Sequence, residues 1–135
     1  MGYSYEWRIR PGHTDFSGLV YTPELADGVL EAIEALLHDI GQPFAQYAST
    51  DFISPTVNLN LDYLAAMEIG DRIQIHVVPE IGTTSITFNV TGRSGGEDTF
   101  TGSLTVAFID QESSESIPVP DEFRDGLRPY TTESN

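Results

Sequence analysis

Residues 23–40 read PELADGVLEAIEALLHDI. Leu25, Val29, Ile33, Leu36, Leu37 and Ile40 recur at helical spacing and make one broad apolar face, widened by Ala26, Leu30 and Ala32. Glu24, Asp27, Glu31, Glu34 and His38 mark a narrow polar stripe. So wide an apolar face predicts a helix that is mostly buried. Thr22 is its expected N-cap, Pro23 its first helical residue and Gly41 its stop. Gly28 costs about 1 kcal/mol against alanine in a helix interior; either close approach of another backbone or plain tolerance of the glycine accounts for it.

On both sides of the helix the period changes to two. Tyr3, Tyr5, Trp7 and Ile9 alternate with Ser4, Glu6, Arg8 and Arg10, the pattern of a half-buried strand that ends at Pro11-Gly12. Residues 42–55 read as a loop with a short helix near Pro43 to Tyr47. Val57, Leu59, Leu61 and Tyr63 then alternate with polar residues. Further strands follow at Ile73–Val77, Ile86–Val90 and Phe100–Phe108, separated by Gly70-Asp71, Gly82 and Gly95-Gly96. Short connections predict antiparallel neighbours in a four-stranded meander. The segment from Ser113 is expected to be a polar tail, tacked down by Phe123. The fold class is therefore α+β, one domain over residues 1–135, with a five-stranded antiparallel sheet curled around one long helix. The other face of that sheet is left to polar residues or a second subunit.

Between the first strand and the helix lies His13-Thr14-Asp15-Phe16-Ser17-Gly18-Leu19-Val20-Tyr21-Thr22-Pro23. It places one carboxylate, Asp15, in a loop beside a helix N-terminus. Free N–H groups there can stabilise a developing negative charge. A base or nucleophile next to oxyanion donors is what acyl transfer requires. The competing reading is that Asp15 only closes a turn, as loop aspartates commonly do.

Composition narrows the remaining classes. The formal net charge is −15, with 21 acidic side chains against six basic ones, all arginine. Such a surface repels nucleic acid and acidic membranes. The periodic strands and the aromatics argue against disorder, and no EF-hand spacing is present. Adaptation to high salt is the expected meaning of the charge. The chain has no cysteine, which excludes disulfides, thiolate metal sites and a cysteine nucleophile. No long apolar run and no secretory leader are seen at the start of the sequence, so a cytoplasmic location is expected. Three scattered histidines, without carboxylates at ligand spacing, predict no metal site, and no cofactor motif is found. No GxSxG elbow accompanies Ser17.

Three stretches together resemble the hotdog-fold acyl-CoA thioesterases of the 4-hydroxybenzoyl-CoA thioesterase type. They are Asp15–Pro23, Asp62-Tyr63-Leu64-Ala65-Ala66 with Gly70-Asp71, and Ile117-Pro118-Val119-Pro120-Asp121-Glu122-Phe123. The similarity runs from about Tyr3 to Arg124. It implies that Asp15 matches the family's catalytic aspartate, as nucleophile or general base. It also implies that the amide of Thr22 matches the helix-start donor that polarises the thioester carbonyl. Many relatives carry a histidine or aromatic where Thr22 stands, and an aromatic where Leu25 stands. A homodimer or homotetramer with sites at the subunit interface is implied as well, acting on an acyl-CoA.

Val20, Tyr21, Tyr63 and Leu64 are the expected pocket walls. His13 is either a solvated turn residue or a substrate-orienting donor or base. His38 is expected in solvent and His76 on the far side of the sheet. Arg72, Arg93 and Arg128 are candidates for the coenzyme A phosphates, each weighed against a surface ion pair. Arg8 and Arg10 are expected to pair with acidic neighbours. The alternatives are a non-catalytic acyl-CoA or acyl-carrier binding module, and a hotdog enoyl-CoA hydratase or dehydratase using His13 with Asp15.

Overall fold

The computed structural model describes residues 2–15, 17–20, 22–42 and 52–131. Its elements in chain order are β1 (Tyr3–Arg8), a 3-10 turn (Pro11–His13), α1 (Thr22–Asp39), β2 (Phe52–Ile53) and β3 (Thr56–Tyr63). β4 (Arg72–Ile81), β5 (Ser85–Ser94), β6 (Glu97–Ala107), β7 (Ile109–Asp110), α2 (Asp121–Leu127) and a last 3-10 turn (Arg128–Tyr130) follow. The main sheet has the order β1-β4-β5-β6-β3 and every pairing in it is antiparallel. This is the α+β hotdog arrangement that the resemblance implied. The expected short helix at Pro43 to Tyr47 lies outside the described residues.

The core is the seam between α1 and one face of the sheet. Leu25, Val29, Ile33 and Leu36 of the helix are buried together with Trp7, Ile73, Ile75, Val77, Phe88 and Phe100 from the strands. Leu30 departs from the expected face: it is partly exposed at the helix edge. Two tyrosines of β1 tie the sheet to the helix. The Tyr3 hydroxyl donates to Asp39 at 2.8 Å and the Tyr5 hydroxyl to Glu31 at 3.0 Å. Desolvation, then the Asp39 bond, pushes Tyr3 up to about 12.

Gly28 faces the Trp7 indole. A Cβ built there would lie 2.6 Å from the ring. The close neighbour is therefore a side chain and not the backbone that the helix pattern suggested. Removing one Cβ lets the largest aromatic of β1 lie flat against the helix.

The meander expectation fails at one strand. β3 does not sit beside β4; it pairs with β6 at the opposite edge of the sheet. Residues 64–71 make the crossing. Leu64 N–H and Ala65 N–H donate to Thr99 O at the β6 end, while Gly70 N–H donates to Ile9 O at the β1 end. The alternation of β3 does not translate into burial either. Leu61 is its one half-buried residue, and Val57, Leu59 and Tyr63 are exposed in the single chain.

Phe123 tacks the last segment down as expected, but the segment is a helix with apolar anchors and not only a polar tail. Val119, Phe123 and Leu127 are buried, and α2 packs Phe123 edge-on against Phe108 with ring centres 5.3 Å apart. Among the described residues no helix is long and apolar enough to cross a membrane.

Candidate active site

The segment after β1 folds into a small hairpin. Thr14 bridges Val20, Asp15 N–H donates to Leu19 O at 3.2 Å, and Gly18 N–H donates to Asp15 O at 3.1 Å. Gly18 adopts φ +83°, in the left-handed region that an L side chain resists. The hairpin is docked on the crossing segment. Val20 N–H donates to Met67 O at 3.0 Å, Ile69 N–H donates to Gly18 O at 3.3 Å, and Leu19 bridges Glu68. Met67 is buried beneath it. The carboxylate loop is thus held from both sides before the chain enters α1.

Asp15 is exposed. Its Oδ1 accepts the Ser17 N–H at 2.8 Å and also the Ser17 hydroxyl. The Ser17 hydroxyl, then the Ser17 N–H, hold the Asp15 carboxyl below the usual carboxylate range. The turn-closing role of Asp15 is therefore real. Both bonds end on Oδ1, so the turn engages one of its two oxygens.

Thr22 is the first residue of α1 and not the cap before it, a shift of one position. Its amide belongs to the opening turn, whose N–H groups have no intrahelical acceptor. Pro23 has no N–H, which leaves the amides of Thr22 and Glu24 as the free donors of that turn. Tyr21 lies outside the described residues, as does Phe16.

Tyr63 closes β3 and Leu64 follows it; both are exposed. They lead into the segment that docks the hairpin, so Val20, Tyr63 and Leu64 belong to one end of the molecule. Leu19 and Ile69 are exposed there too. Sequence reading missed these two; the signal was their place on either side of the Gly18 turn and the Gly70-Asp71 turn.

His13 is not a solvated turn residue. It is buried at 9% exposure, its ring centre lies 5.0 Å from that of Trp7, and its Nδ1 accepts the Arg10 N–H at 3.0 Å. The 3-10 turn Pro11–His13 folds the ring back over β1 and fixes Nδ1 as an acceptor. His38 is exposed, and exposed His76 lies 3.2 Å from Ser4 Oγ on the outer sheet face.

The arginines proposed for phosphates are held in ion pairs. Arg72 meets Glu6 at 2.8 Å, Arg93 meets Asp98 at 2.6 Å and Arg128 meets Asp125 at 3.2 Å. The expectation for Arg8 is corrected: its cross-strand neighbour is Arg72, a like charge. Among the described residues neither Arg8 nor Arg10 makes an ion pair with an acidic side chain.

An apolar cavity of about 110 Å³ lies between α1 and the sheet, further along the helix. Leu30, Ile33 and Leu37 of α1 face Ile86, Phe88 and Leu104 across it, and Phe123 of α2 lines it too.

Comparison with known proteins agrees with this architecture. The family model of the Thioesterase-like superfamily matches residues 9–127. The 1,4-dihydroxy-2-naphthoyl-CoA hydrolase of Synechococcus elongatus is 24% identical over 129 residues, covering 93% of this chain and 95% of that protein. The crystal structure of a 1,4-dihydroxy-2-naphthoyl-CoA thioesterase from Synechocystis superposes with a TM-score of 0.90 at 18% identity, covering 94% of this chain and 96% of the other. A thioesterase-superfamily protein from Jannaschia sp. CCS1 superposes with a TM-score of 0.84 at 29% identity, covering 96% and 93%. With a match over nearly its whole length, and a hotdog sheet carrying an aspartate loop at the start of its long helix, the chain belongs to the Thioesterase-like superfamily.

Proposed function

We propose that this chain is an acyl-CoA thioesterase, hydrolysing a thioester to a free acid and coenzyme A, with Asp15 as the reacting carboxylate. The observation that carries this reading is the position of Asp15: an ionised, exposed side chain on a braced hairpin that runs directly into the first turn of α1. The amide of Thr22 is the oxyanion donor. Val20, Tyr63 and Leu64 wall the thioester end, and His13 acts from beneath by fixing the start of the loop. The names of the similar hydrolases support a coenzyme A thioester as the substrate class.

The carboxylate acts in one of two ways. It attacks the carbonyl carbon, breaking the C–S bond and leaving an anhydride that water opens, or it takes a proton from the water that attacks. A single turnover in oxygen-18 water separates them, because the anhydride route can leave label on Asp15 itself.

The turn bonds from Ser17 favour a second reading, in which Asp15 is structural and the chain only binds acyl groups. Asp15→Asn distinguishes the two, since asparagine keeps the accepting Oδ1 and loses the charge. Release of free thiol from a panel of acyl-CoAs should fall at least ~100-fold in kcat. A change below about threefold would remove Asp15 from the chemistry.

The functional unit is proposed to be a homodimer joined through β3, either alone or within a tetramer. Val57, Leu59, Tyr63 and Leu64 are exposed on and next to this edge strand, and exposed apolar edges of this kind call for a partner. Solubility in molar salt is the proposed role of the −15 charge. The protein is accordingly assigned to the cytoplasm of a salt-accumulating cell, and activity that rises with KCl is the test.

A further inference from the structure

We propose that His13 is a positioning residue for the thioester chemistry, and that it works as a hydrogen-bond acceptor: its Nδ1 closes the corner from which the Asp15 hairpin is aimed. This rests on the thioesterase reading and deepens it, by naming the atom that sets the direction of the reacting carboxylate.

The corner lies between two anchored stretches. On the strand side Ile9 N–H donates to Asp71 O at 2.9 Å, and Ile9 O accepts the Gly70 N–H at 2.9 Å. On the far side the hairpin is held where Val20 N–H donates to Met67 O. Arg10 and Thr14 are both extended, at φ −108° and φ −120°, and the chain turns between them over Pro11–His13. A 3-10 turn this short has poorer bond geometry than an α-helix and little of its own to hold it. Its main-chain bonds are His13 N–H to Arg10 O at 2.9 Å and Thr14 N–H to Pro11 O at 3.2 Å. His13 adds the side-chain bond, taking the Arg10 N–H on Nδ1 at 3.0 Å. Arg10 and His13 thus hold each other in both directions, and Asp15 follows two residues later.

The same bond fixes what the ring can do. A main-chain N–H only donates, so Nδ1 is bare and the ring hydrogen sits on Nε2. A neutral imidazole in this form has one lone pair in the ring plane, and the Arg10 N–H occupies it. While the corner is closed, His13 therefore has no site to take a proton from water, as the base of a hydratase or of a thioesterase must. Packing keeps the ring in this orientation. Its centre lies 5.0 Å from that of buried Trp7, tilted by 44°. Trp7 in turn rests against Gly28 of α1. Opening the corner would leave both anchors in place and let the hairpin pivot. A displacement of about 1 Å between reacting groups can cost ~100-fold in rate.

The test separates the acceptor from the ring. His13→Asn keeps an acceptor oxygen in the place of Nδ1 and discards the ring. His13→Phe and His13→Leu keep apolar bulk against Trp7 and discard the acceptor. Thiol release from a panel of acyl-CoAs is measured for each, together with amide hydrogen exchange by NMR. His13→Asn should stay within about threefold of the natural kcat. His13→Phe and His13→Leu should fall at least ~10-fold in kcat with KM within about twofold. Their Arg10 and Asp15 amides should exchange at least ~10-fold faster, while the Ile75 amide in the core is unchanged. Natural kcat in His13→Phe or His13→Leu overturns the proposal, because packing alone then suffices. A loss in His13→Asn as large as in His13→Phe overturns it too, and a protected Asp15 amide in that variant moves His13 into the chemistry itself. Failure of both acceptor-free variants to fold makes His13 a residue of the fold and overturns its role in aiming the loop. If the natural chain cleaves none of the thioesters, the thioesterase reading fails on its own. The exchange rates in His13→Phe against His13→Asn then still judge the corner, and equal rates overturn it.

Discussion

β4 and β3 belong to the same sheet, and both alternate apolar with polar residues along their length. In β4 the alternation becomes burial: Ile73, Ile75 and Val77 are fully covered while Arg72, Gln74 and His76 face out. In β3 Val57 is 59% exposed and Leu59 42%. The difference is place. β4 lies between β1 and β5 under the helix, and β3 is an edge. A period of two tells which side chains share a face, and it does not tell whether anything covers that face. One strand is finished by its own chain, and the other is left open by it.

The contrast can be broken by substitution. Ile75→Ala in β4 should cost about 2–5 kcal/mol of unfolding free energy, and Leu59→Ala in dilute protein should cost within about 0.5 kcal/mol. Equal losses in urea titrations would show that β3 is already covered within one chain. Gly28→Ala is the next largest. The substitution normally favours a helix, yet the new methyl meets the Trp7 ring, so a loss of about 1–3 kcal/mol is expected. A gain in stability would mean that the ring moves freely. Val57→Lys with Leu59→Lys addresses the open edge: sedimentation should shift from dimer to monomer while the thermal unfolding of each chain changes little. A dimer that persists moves the interface elsewhere.

The smallest effect concerns the loop. Ser17→Ala removes the hydroxyl that most lowers the Asp15 carboxyl. The Asp15 pKa should rise toward its ordinary value. Activity that needs the ionised form holds above that pKa and is lost as pH falls through it, so the acidic limb of the kcat/KM profile should move to higher pH. An unmoved limb assigns it to another group.

Much of this was legible in the residues. The helix announced itself through Leu25, Val29, Ile33 and Leu36, and the strands through their alternation. What escaped was set by distant partners. The route of residues 64–71 across the sheet decides where β3 lies, and no local pattern encodes a route. The burial of His13 depends on where the Trp7 ring falls. The facing of Arg8 by Arg72 is a matter of register between strands 64 residues apart in sequence. α2 was hidden because its acidic and glycine positions mask its two apolar anchors, Phe123 and Leu127. Of the site, the Asp15 loop was readable, while the cavity was not, because it draws on α1, β5, β6 and α2 at once.

The docking of the Asp15 hairpin on residues 67–69 has one more consequence. The same peptide run that leaves β3 supplies the carbonyl that holds Val20, and its Ile69 amide is held in turn by the Gly18 carbonyl. Steadying the outer strand therefore steadies the Asp15 hairpin through these two hydrogen bonds. Deuterium uptake at the Val20 and Ile69 amides should slow as protein concentration rises, giving a solution gauge of assembly read at the Asp15 hairpin.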